Sequence, residues 1–159
     1  MTARTASRED APAIASIYNE GIEDRTATFE TRLRQADDVG AWFDGLHPIV
    51  VVEEQSAVVA FAATFTYRPR ECYAGIAEAS VYVSRRFRRR GAGRLALETL
   101  IHAAGQAGFW KLVSRIFPEN TASRRMVQEL GFREVGIYQR HGRLDGQWRD
   151  VVIVERLIP

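Results

Sequence analysis

A run of three arginines and two glycines, Arg88-Arg89-Arg90-Gly91-Ala92-Gly93, separates a strand-like segment from an apolar, helix-like segment. The segment before it, Ala79-Ser80-Val81-Tyr82-Val83, alternates as a half-buried strand does. Backbone N–H groups at the start of a helix lack intrahelical partners, the helix dipole adds positive charge there, and glycine lets a ligand come close. The junction therefore predicts a strand–loop–helix unit that binds an anion such as a pyrophosphate.

Two common phosphate-binding loops do not fit this stretch. A nucleoside-triphosphate loop ends in Gly-Lys-Ser or Gly-Lys-Thr, and neither follows here. A dinucleotide-binding loop needs a third glycine at position 96, where the chain has Ala96. The pattern that remains is Arg-x-x-Gly-x-Gly.

The arginines around the loop have two other interpretations, a solvated basic surface and a nucleic-acid patch. Over the whole chain the formal net charge is only +2, with 22 Lys and Arg against 20 Asp and Glu. A general polyanion binder carries a larger basic excess on one face. The composition therefore favours a small polyphosphate ligand, and we expect no nucleic-acid partner. The arginines concerned are Arg85, Arg86, Arg88, Arg89, Arg90 and Arg94.

Length and composition limit the remaining classes. A chain of 159 residues that is 46% hydrophobic suits one domain, which we place at residues 1–159. No stretch approaches the roughly 20 apolar residues of a membrane span, and the N-terminal segment lacks an apolar signal core. We therefore expect no membrane partner and a cytoplasmic location. Cys72 is the only cysteine, which excludes an intrachain disulfide and a thiolate cluster, and we expect no metal.

Hydrophobic spacing and turn residues divide the chain into helices and strands. In the first half, the predicted elements are a helix over residues 7–20, a helix holding Val39, Trp42 and Phe43, a hairpin of Ile49–Glu53 and Val58–Phe65, and a strand over Ile76–Val83. In the second half, they are a long helix that ends before Gly108, a strand over Leu112–Phe117, a short helix between Asn120 and Gly131, and two strands around the turn Asp145-Gly146. This order predicts an α/β (α+β) fold in which a mixed, largely antiparallel central sheet is flanked by helices.

The pattern Arg-x-x-Gly-x-Gly resembles the acyl-coenzyme A loop of the GCN5-related N-acetyltransferases (GNAT), whose fold has the same order of elements. Further motifs resemble the phosphinothricin acetyltransferase branch and span nearly the whole chain: Ile17-Tyr18-Asn19, Thr26–Glu30, Glu78–Val83, Pro118-Glu119-Asn120 and Gly146–Val151. Within the branch, Arg140–Gly146 and Trp148–Val152 are most similar to members that act on arsinothricin.

The resemblance implies an enzyme that transfers acetyl from acetyl-CoA, as co-substrate, to the α-amino group of a small amino-acid analogue. Phosphinothricin, arsinothricin, methionine sulfoximine and methionine sulfone are the implied substrates, transfer is direct within a ternary complex, and the role is antibiotic resistance. No metal is required. The branch also implies a homodimer. The alternatives left open are an N-terminal acetyltransferase for proteins or peptides and a non-catalytic acyl-CoA-binding module.

The resemblance also assigns cofactor contacts. Backbone N–H groups of the central strand would hold the thioester oxygen and the pantetheine amide, the arginine–glycine loop would hold the pyrophosphate, and Asn120 would contact the cofactor arm. Asn120 is equally well explained as a helix N-cap. The cofactor-binding residues are Val81, Tyr82, Val83, Arg88, Arg89, Arg90, Gly91, Ala92, Gly93, Arg94 and Asn120.

Glu78 is predicted to be the catalytic base and to contact the substrate. Because it lies three residues before Val81, strand alternation places the two side chains on opposite faces unless the strand bulges. Glu78 also has a structural interpretation, as a carboxylate paired with an arginine.

An oxyanion-bearing substrate requires guanidinium donors. Arg70 and Tyr73 match the substrate loop of the family, and Thr28 and Phe29 match the opposite wall. A solvated loop arginine and a core phenylalanine are the alternatives for Arg70 and Phe29.

One position departs from the family pattern. Many members carry Tyr or His seven residues after the asparagine, whereas this chain has Val127. Protonation of the leaving thiolate must then come from water, the product ammonium or another side chain, if it is needed at all. His141 and Arg143 are expected to approach the site from a neighbouring subunit.

Overall fold

The computed structural model describes residues 1–159 and contains one seven-stranded sheet. The strands are β1 (Thr2–Thr5), β2 (Ile49–Glu54), β3 (Ala57–Thr66), β4 (Ile76–Val83), β5 (Lys111–Ile116), β6 (Arg133–Leu144) and β7 (Gln147–Leu157). The helices are α1 (Ala11–Asp24), α2 (Ala36–Gly40), α3 (Ala92–Gln106) and α4 (Thr121–Glu129). Three short 3-10 turns lie at Arg8–Asp10, Glu71–Tyr73 and Arg85–Phe87.

The sheet order is β1-β2-β3-β4-β5-β7-β6, and only β4 and β5 pair in parallel. This confirms the predicted mixed, largely antiparallel sheet. The strand β2 shows why both faces are covered, because its run Ile49-Val50-Val51-Val52 is buried throughout. Val50 and Val52 belong to the core beneath α3, and Val51 belongs to the core beneath α1 and α2. Helices therefore flank the sheet on both sides.

The predicted hairpin, the strand Ile76–Val83 and the helix after the glycine loop agree with the structure. The final hairpin also forms where its turn signal lies. Asp145 and Gly146 have positive φ angles of 52° and 77°, which a two-residue turn of this kind needs. None of the helices has the length and apolar character needed to cross a bilayer.

Three predicted features are corrected. The first helix starts at Ala11, after a 3-10 turn, and runs through Gly21 to Asp24 rather than ending at residue 20. A Cβ atom at Gly21 would lie 2.8 Å from the Tyr82 ring, so this glycine serves a close contact and does not end the helix. The second helix is only Ala36–Gly40, and Trp42 and Phe43 follow it in a turn.

The third correction concerns β1, which was not predicted. Its sequence, Thr2-Ala3-Arg4-Thr5, is short and polar, yet it pairs antiparallel with β2. Arg4 fixes this edge strand by donating two hydrogen bonds to the Asp10 carboxylate, at 2.8 and 2.9 Å, and others to Glu53. Short edge strands with charged residues are common and carry little hydrophobic signal.

Candidate active site

The neighbouring strands β4 and β5 separate part of the way along their length. Their pairing ends at the register Glu78↔Val113. Beyond it the Ser114 hydroxyl still donates to the Ala79 carbonyl at 2.8 Å. The separation opens a cleft between the two strands. Residues of β4, β5 and α4 line it, among them Val81, Ile116, Asn120, Ser123 and Met126.

The backbone groups of β4 alternate between its two neighbours. The Ser84 N–H donates to a carbonyl of β3 at 2.8 Å, whereas the Ala79 carbonyl points to β5. Because the pairing of β3 with β4 is regular, this alternation directs the N–H groups of Val81 and Val83 into the cleft. It directs the N–H of Tyr82 toward β3 and away from the cleft, although Tyr82 is among the residues that line the cleft.

The arginine–glycine loop leads from β4 into α3 as expected. Gly91 is the N-cap with φ 88°, and the first hydrogen bond of α3 ends on its carbonyl at 3.0 Å. The N–H groups of Ala92, Gly93 and Arg94 therefore lack intrahelical partners. A Cβ atom at Gly93 would lie 3.1 Å from the Val83 side chain, so α3 approaches β4 closely here. Free amides and a close approach fit a diphosphate.

Intrachain carboxylates already bind several of the loop arginines. Arg85 and Arg88 both contact Asp24 of α1 at 2.8 Å, and together they lower the pKa of that carboxyl group, Arg85 more than Arg88. Arg94 contacts Glu129 of α4 at 2.8 Å. These arginines hold the loop against α1 and α4, and their charges are already partly balanced.

Arg89 and Arg90 differ from these because neither forms an ion pair. Arg89 adopts a positive φ of 64°, and the Arg90 guanidinium lies 5.3 Å from the centre of the Phe87 ring. The loop therefore presents two cations with no carboxylate partner at its tip, directly before the free amides of α3.

Asn120 is both the N-cap of α4 and part of the cleft wall. Its side-chain oxygen accepts a hydrogen bond from the Ser123 N–H at 3.3 Å as the N-cap of α4, and the residue also lines the cleft. Val127, about two turns further along α4, is buried in the core beneath α3. Its apolar side chain holds no proton to donate.

A second cavity lies on the other face of β4 and meets the cleft along Ala79, Ser80 and Tyr82. Six aromatic residues line it, together with four charged residues. The lining residues include Tyr18, Thr28, Phe29, Trp42, Phe65 and Phe117, with the charged residues Glu30, Arg34, Glu78 and Arg115.

Glu78 faces this second cavity. No bulge interrupts β4, so Glu78 and Val81 lie on opposite faces, as alternation requires. The opposite face is the cavity that adjoins the cleft, and Glu78 needs no irregularity to reach it. Its carboxylate lies 3.0 Å from Nε of Arg115. The arginine pairing considered for Glu78 is therefore present.

The far wall of the cavity carries a second ion pair and a group of hydroxyls. Arg34 contacts Glu30 at 2.9 Å. The Thr28 hydroxyl lies beside the phenols of Tyr18 and Tyr82, and burial raises the pKa of both tyrosines. Both phenols therefore remain neutral hydrogen-bonding groups at neutral pH.

The structure places the predicted substrate residues in two groups. Thr28 and Phe29 line the second cavity, and Phe29 packs edge-to-face on Phe117 at 5.0 Å. Arg70 and Tyr73 do not line it. They lie in the turn before β4, with the Arg70 guanidinium 5.9 Å from the centre of the Tyr73 ring.

Sequence reasoning missed Arg34 and Arg115, the two arginines that line the cavity. Arg115 gave a usable signal, because it is a charged residue on the same face of β5 as the apolar Val113 and Phe117. His141 and Arg143 lie on β6 and do not line the cavity of their own chain.

The Acetyltransferase (GNAT) family profile matches residues 14–132. An L-methionine sulfoximine/L-methionine sulfone acetyltransferase from Salmonella typhimurium is 30% identical and aligns over 98% of this chain and 93% of its own length.

Two solved structures show the same fold. A ribosomal-protein-alanine N-acetyltransferase from Brucella melitensis superposes with a TM-score of 0.94 at 29% identity, covering 99% of each chain. A phosphinothricin acetyltransferase from Sinorhizobium meliloti in complex with AcCoA superposes with a TM-score of 0.91 at 27% identity, covering 99% of this chain and 88% of that chain. Since the family profile covers most of its length, this chain belongs to the GNAT family and is an N-acetyltransferase.

Proposed function

We propose that the protein acetylates the α-amino group of small, oxyanion-bearing amino-acid analogues such as phosphinothricin, arsinothricin, methionine sulfoximine and methionine sulfone. One observation carries the proposal: a cleft suited to an acyl-CoA arm and a charged aromatic cavity meet across β4 at Ala79, Ser80 and Tyr82. The similarity to acetyltransferases of methionine sulfoximine and phosphinothricin supports the substrate class.

Acetyl-CoA supplies an activated thioester when it is bound. Arg89, Arg90 and the free amides of Ala92–Arg94 hold its diphosphate, and Arg88 and Arg94 keep the loop in place. The N–H groups of Val81 and Val83 hold the arm, and Asn120 contacts it from the start of α4. Preorganised donors of this kind stabilise the negative charge that develops on a thioester oxygen.

Glu78 accepts the proton that the substrate ammonium must lose before its nitrogen can attack. The new bond joins that nitrogen to the acetyl carbon, and the bond that breaks joins the same carbon to sulfur. Val127 offers no proton to the leaving sulfur. A thiol has a reference pKa of about 8.5, so the sulfur leaves as thiolate or takes a proton from water. Direct transfer needs both substrates held together.

Incubating the purified protein with acetyl-CoA and each candidate amine, while following thiol release, tests the proposal. We expect turnover with at least one of the four analogues and an N-acetyl product by mass spectrometry. Absence of turnover with all four analogues contradicts the assignment.

An N-terminal acetyltransferase is the second candidate, and the similarity to a ribosomal-protein-alanine N-acetyltransferase favours it. Peptides that begin with alanine distinguish the two activities. On the proposed function, such peptides neither react nor compete with the amino-acid analogue.

We further propose that the protein is a cytoplasmic homodimer that confers antibiotic resistance. The outer part of the last hairpin supports a dimer, since Ile137, Tyr138 and Trp148 are about half exposed, at 53%, 48% and 52%. Light scattering of the purified protein should give twice the mass of one chain.

A further inference from the structure

Arg115 lies at the edge of the proposed active site in a position that packing does not explain. On β5, its neighbours on the same face, Val113 and Phe117, are buried. Arg115 itself is 45% exposed and faces the cavity that contains Glu78. An arginine here adds nothing to the core of that face.

The contact between Arg115 and Glu78 leaves most donors of the guanidinium unused. Nε lies 3.0 Å from one carboxylate oxygen, and no guanidinium nitrogen of Arg115 makes an aligned hydrogen bond within the chain. By contrast, Arg124 donates to both oxygens of Glu134, from Nε at 2.8 Å and from Nη2 at 3.0 Å. A partly exposed ion pair without an aligned hydrogen bond contributes little to stability. The arginine fork therefore remains available to a second carboxylate.

A cation and a carboxylate this close are complementary to an α-amino acid, whose ammonium and carboxylate are attached to one carbon. A guanidinium binds a carboxylate through two parallel hydrogen bonds. Once the substrate carboxylate occupies the fork of Arg115, Glu78 is released toward the ammonium. The exchange keeps each charge paired, so it avoids leaving an unpaired charge in the cavity.

We propose that Arg115 binds the α-carboxylate of the substrate in place of Glu78, so that the Arg115–Glu78 pair recognises the α-carboxylate and α-ammonium together. This assignment rests on the proposed function and adds a specificity determinant to it. Amines that lack the α-carboxylate leave Glu78 paired with Arg115 and react poorly. Arg70, which lies outside the cavity, is not required for this contact.

The experiment compares two substrates that differ only in the α-carboxylate, L-methionine sulfone and 3-(methylsulfonyl)propan-1-amine. We expect wild-type protein to prefer the amino acid by on the order of 100-fold in kcat/KM, because a charge-assisted bidentate contact is lost with the amine. Arg115→Gln should lower kcat/KM for the amino acid by about the same factor and change that for the amine by less than about threefold. L-phosphinothricin and its decarboxylated amine form a second pair.

Arg133→Gln is the matched control, since Arg133 contacts Glu155 on the surface and does not line either cavity. It should leave both kcat/KM values unchanged. Arg115→Lys keeps the positive charge but loses the forked pair of donors. Its kcat/KM for the amino acid should lie between the values of Arg115→Gln and wild type, and its kcat/KM for the amine should not change. It also provides the comparison if Arg115→Gln does not fold. Acetyl-CoA affinity should be unaltered in each variant.

Several results overturn the assignment of Arg115. An equal loss for both substrates means that Arg115 only positions Glu78, and no loss for either means that it has no role. Wild-type protein that acetylates the amine as fast as the amino acid also overturns it. These results leave the proposed acetyltransferase function standing. That function fails separately, if wild-type protein acetylates none of the analogues.

Discussion

At the scale of single residues, the position of Glu78 on β4 decides which side of the sheet its carboxylate faces. Val81 offers its backbone to the cleft on the edge of β4, and Glu78 offers its side chain to the cavity on one face. One strand can present a backbone N–H to the cleft and a side chain to the cavity, because backbone groups and side chains of a strand point in perpendicular directions. The arrangement brings the proposed base and a backbone amide donor close together without a bulge.

We expect Glu78→Gln to lower kcat by about 10²–10⁴-fold, the range for removing a general base. Acetyl-CoA affinity should change less than about twofold, because Glu78 does not face the diphosphate loop. Stopped assays across pH and calorimetry with acetyl-CoA measure the two effects. Glu134→Gln, on the surface pair with Arg124, is the control. Activity equal to wild type at every pH would remove Glu78 from the mechanism.

Gly91 is a second residue whose geometry sets an expectation. Its φ of 88° is costly for other residues, although a Cβ atom there would meet nothing within 4 Å. Gly91→Ala should therefore lower the free energy of unfolding by about 1–2 kcal/mol through backbone strain and should weaken acetyl-CoA binding. Denaturant titration and calorimetry measure both. Gly40→Ala, also in open space but without positive φ, should change neither by a comparable amount.

The residues of the site differ in how far the sequence predicts them. The loop Gly91-Ala92-Gly93 stands out in the sequence because the backbone geometry of a helix start is encoded locally, and its role in cofactor binding stays a prediction. The resemblance to the family assigns Arg70 and Tyr73 to the substrate loop, whereas Arg34 and Arg115 line the cavity through long-range packing. A single sequence carries no direct signal for contacts between distant segments.

At the scale of elements, β1 differs from the other strands in the same way. The other strands were predicted from local sequence, whereas β1 depends on contacts with distant segments. The strands β2 and β3 are recognisable in the sequence because they are apolar runs. By contrast, β1 is polar, and it depends on its partner strand and on Arg4. The glycine at position 21 misled the prediction of α1 because glycine often ends a helix. Here the glycine serves a tertiary contact, since the Tyr82 ring packs against it.

This contact predicts the effect of Gly21→Ala. Alanine favours a helix by about 1 kcal/mol, but its Cβ would lie 2.8 Å from the buried Tyr82 ring. Overpacking costs about 1–3 kcal/mol, so we expect a net loss of stability. Displacement of the ring into the shared wall of the two cavities should also lower kcat/KM. Thermal unfolding and steady-state kinetics measure these effects, and a variant more stable than wild type with full activity contradicts the packing argument.

At the scale of the whole molecule, carboxylates paired with arginine, lysine or backbone N–H groups determine the response to acid. Arg4 is the main cause that lowers the pKa of Asp10, and Lys111 is the main cause for Glu155. For Asp44, burial acts to raise the pKa, but hydrogen bonds from the His47 and Leu46 N–H groups outweigh it and lower the pKa to about 2. All of these groups bind protons less readily in the folded chain than in the unfolded chain.

The sign of the pH dependence follows. A carboxyl group with a lowered folded-state pKa stabilises the protein above its unfolded value of about 4, and that stabilisation is lost as pH falls through the folded value. The free energy of unfolding should therefore be level near neutrality and should fall between about pH 5 and pH 2.

Asp10→Asn should be less stable by about 1–2 kcal/mol at pH 7 and should show a shallower fall, because its contact with Arg4 no longer titrates. Asp37→Asn, which removes a surface carboxylate in the first turn of α2, is the control for the loss of one negative charge. Urea titrations at several pH values test this, and an Asp10→Asn curve parallel to that of wild type would show that the Arg4–Asp10 contact does not contribute to the acid response.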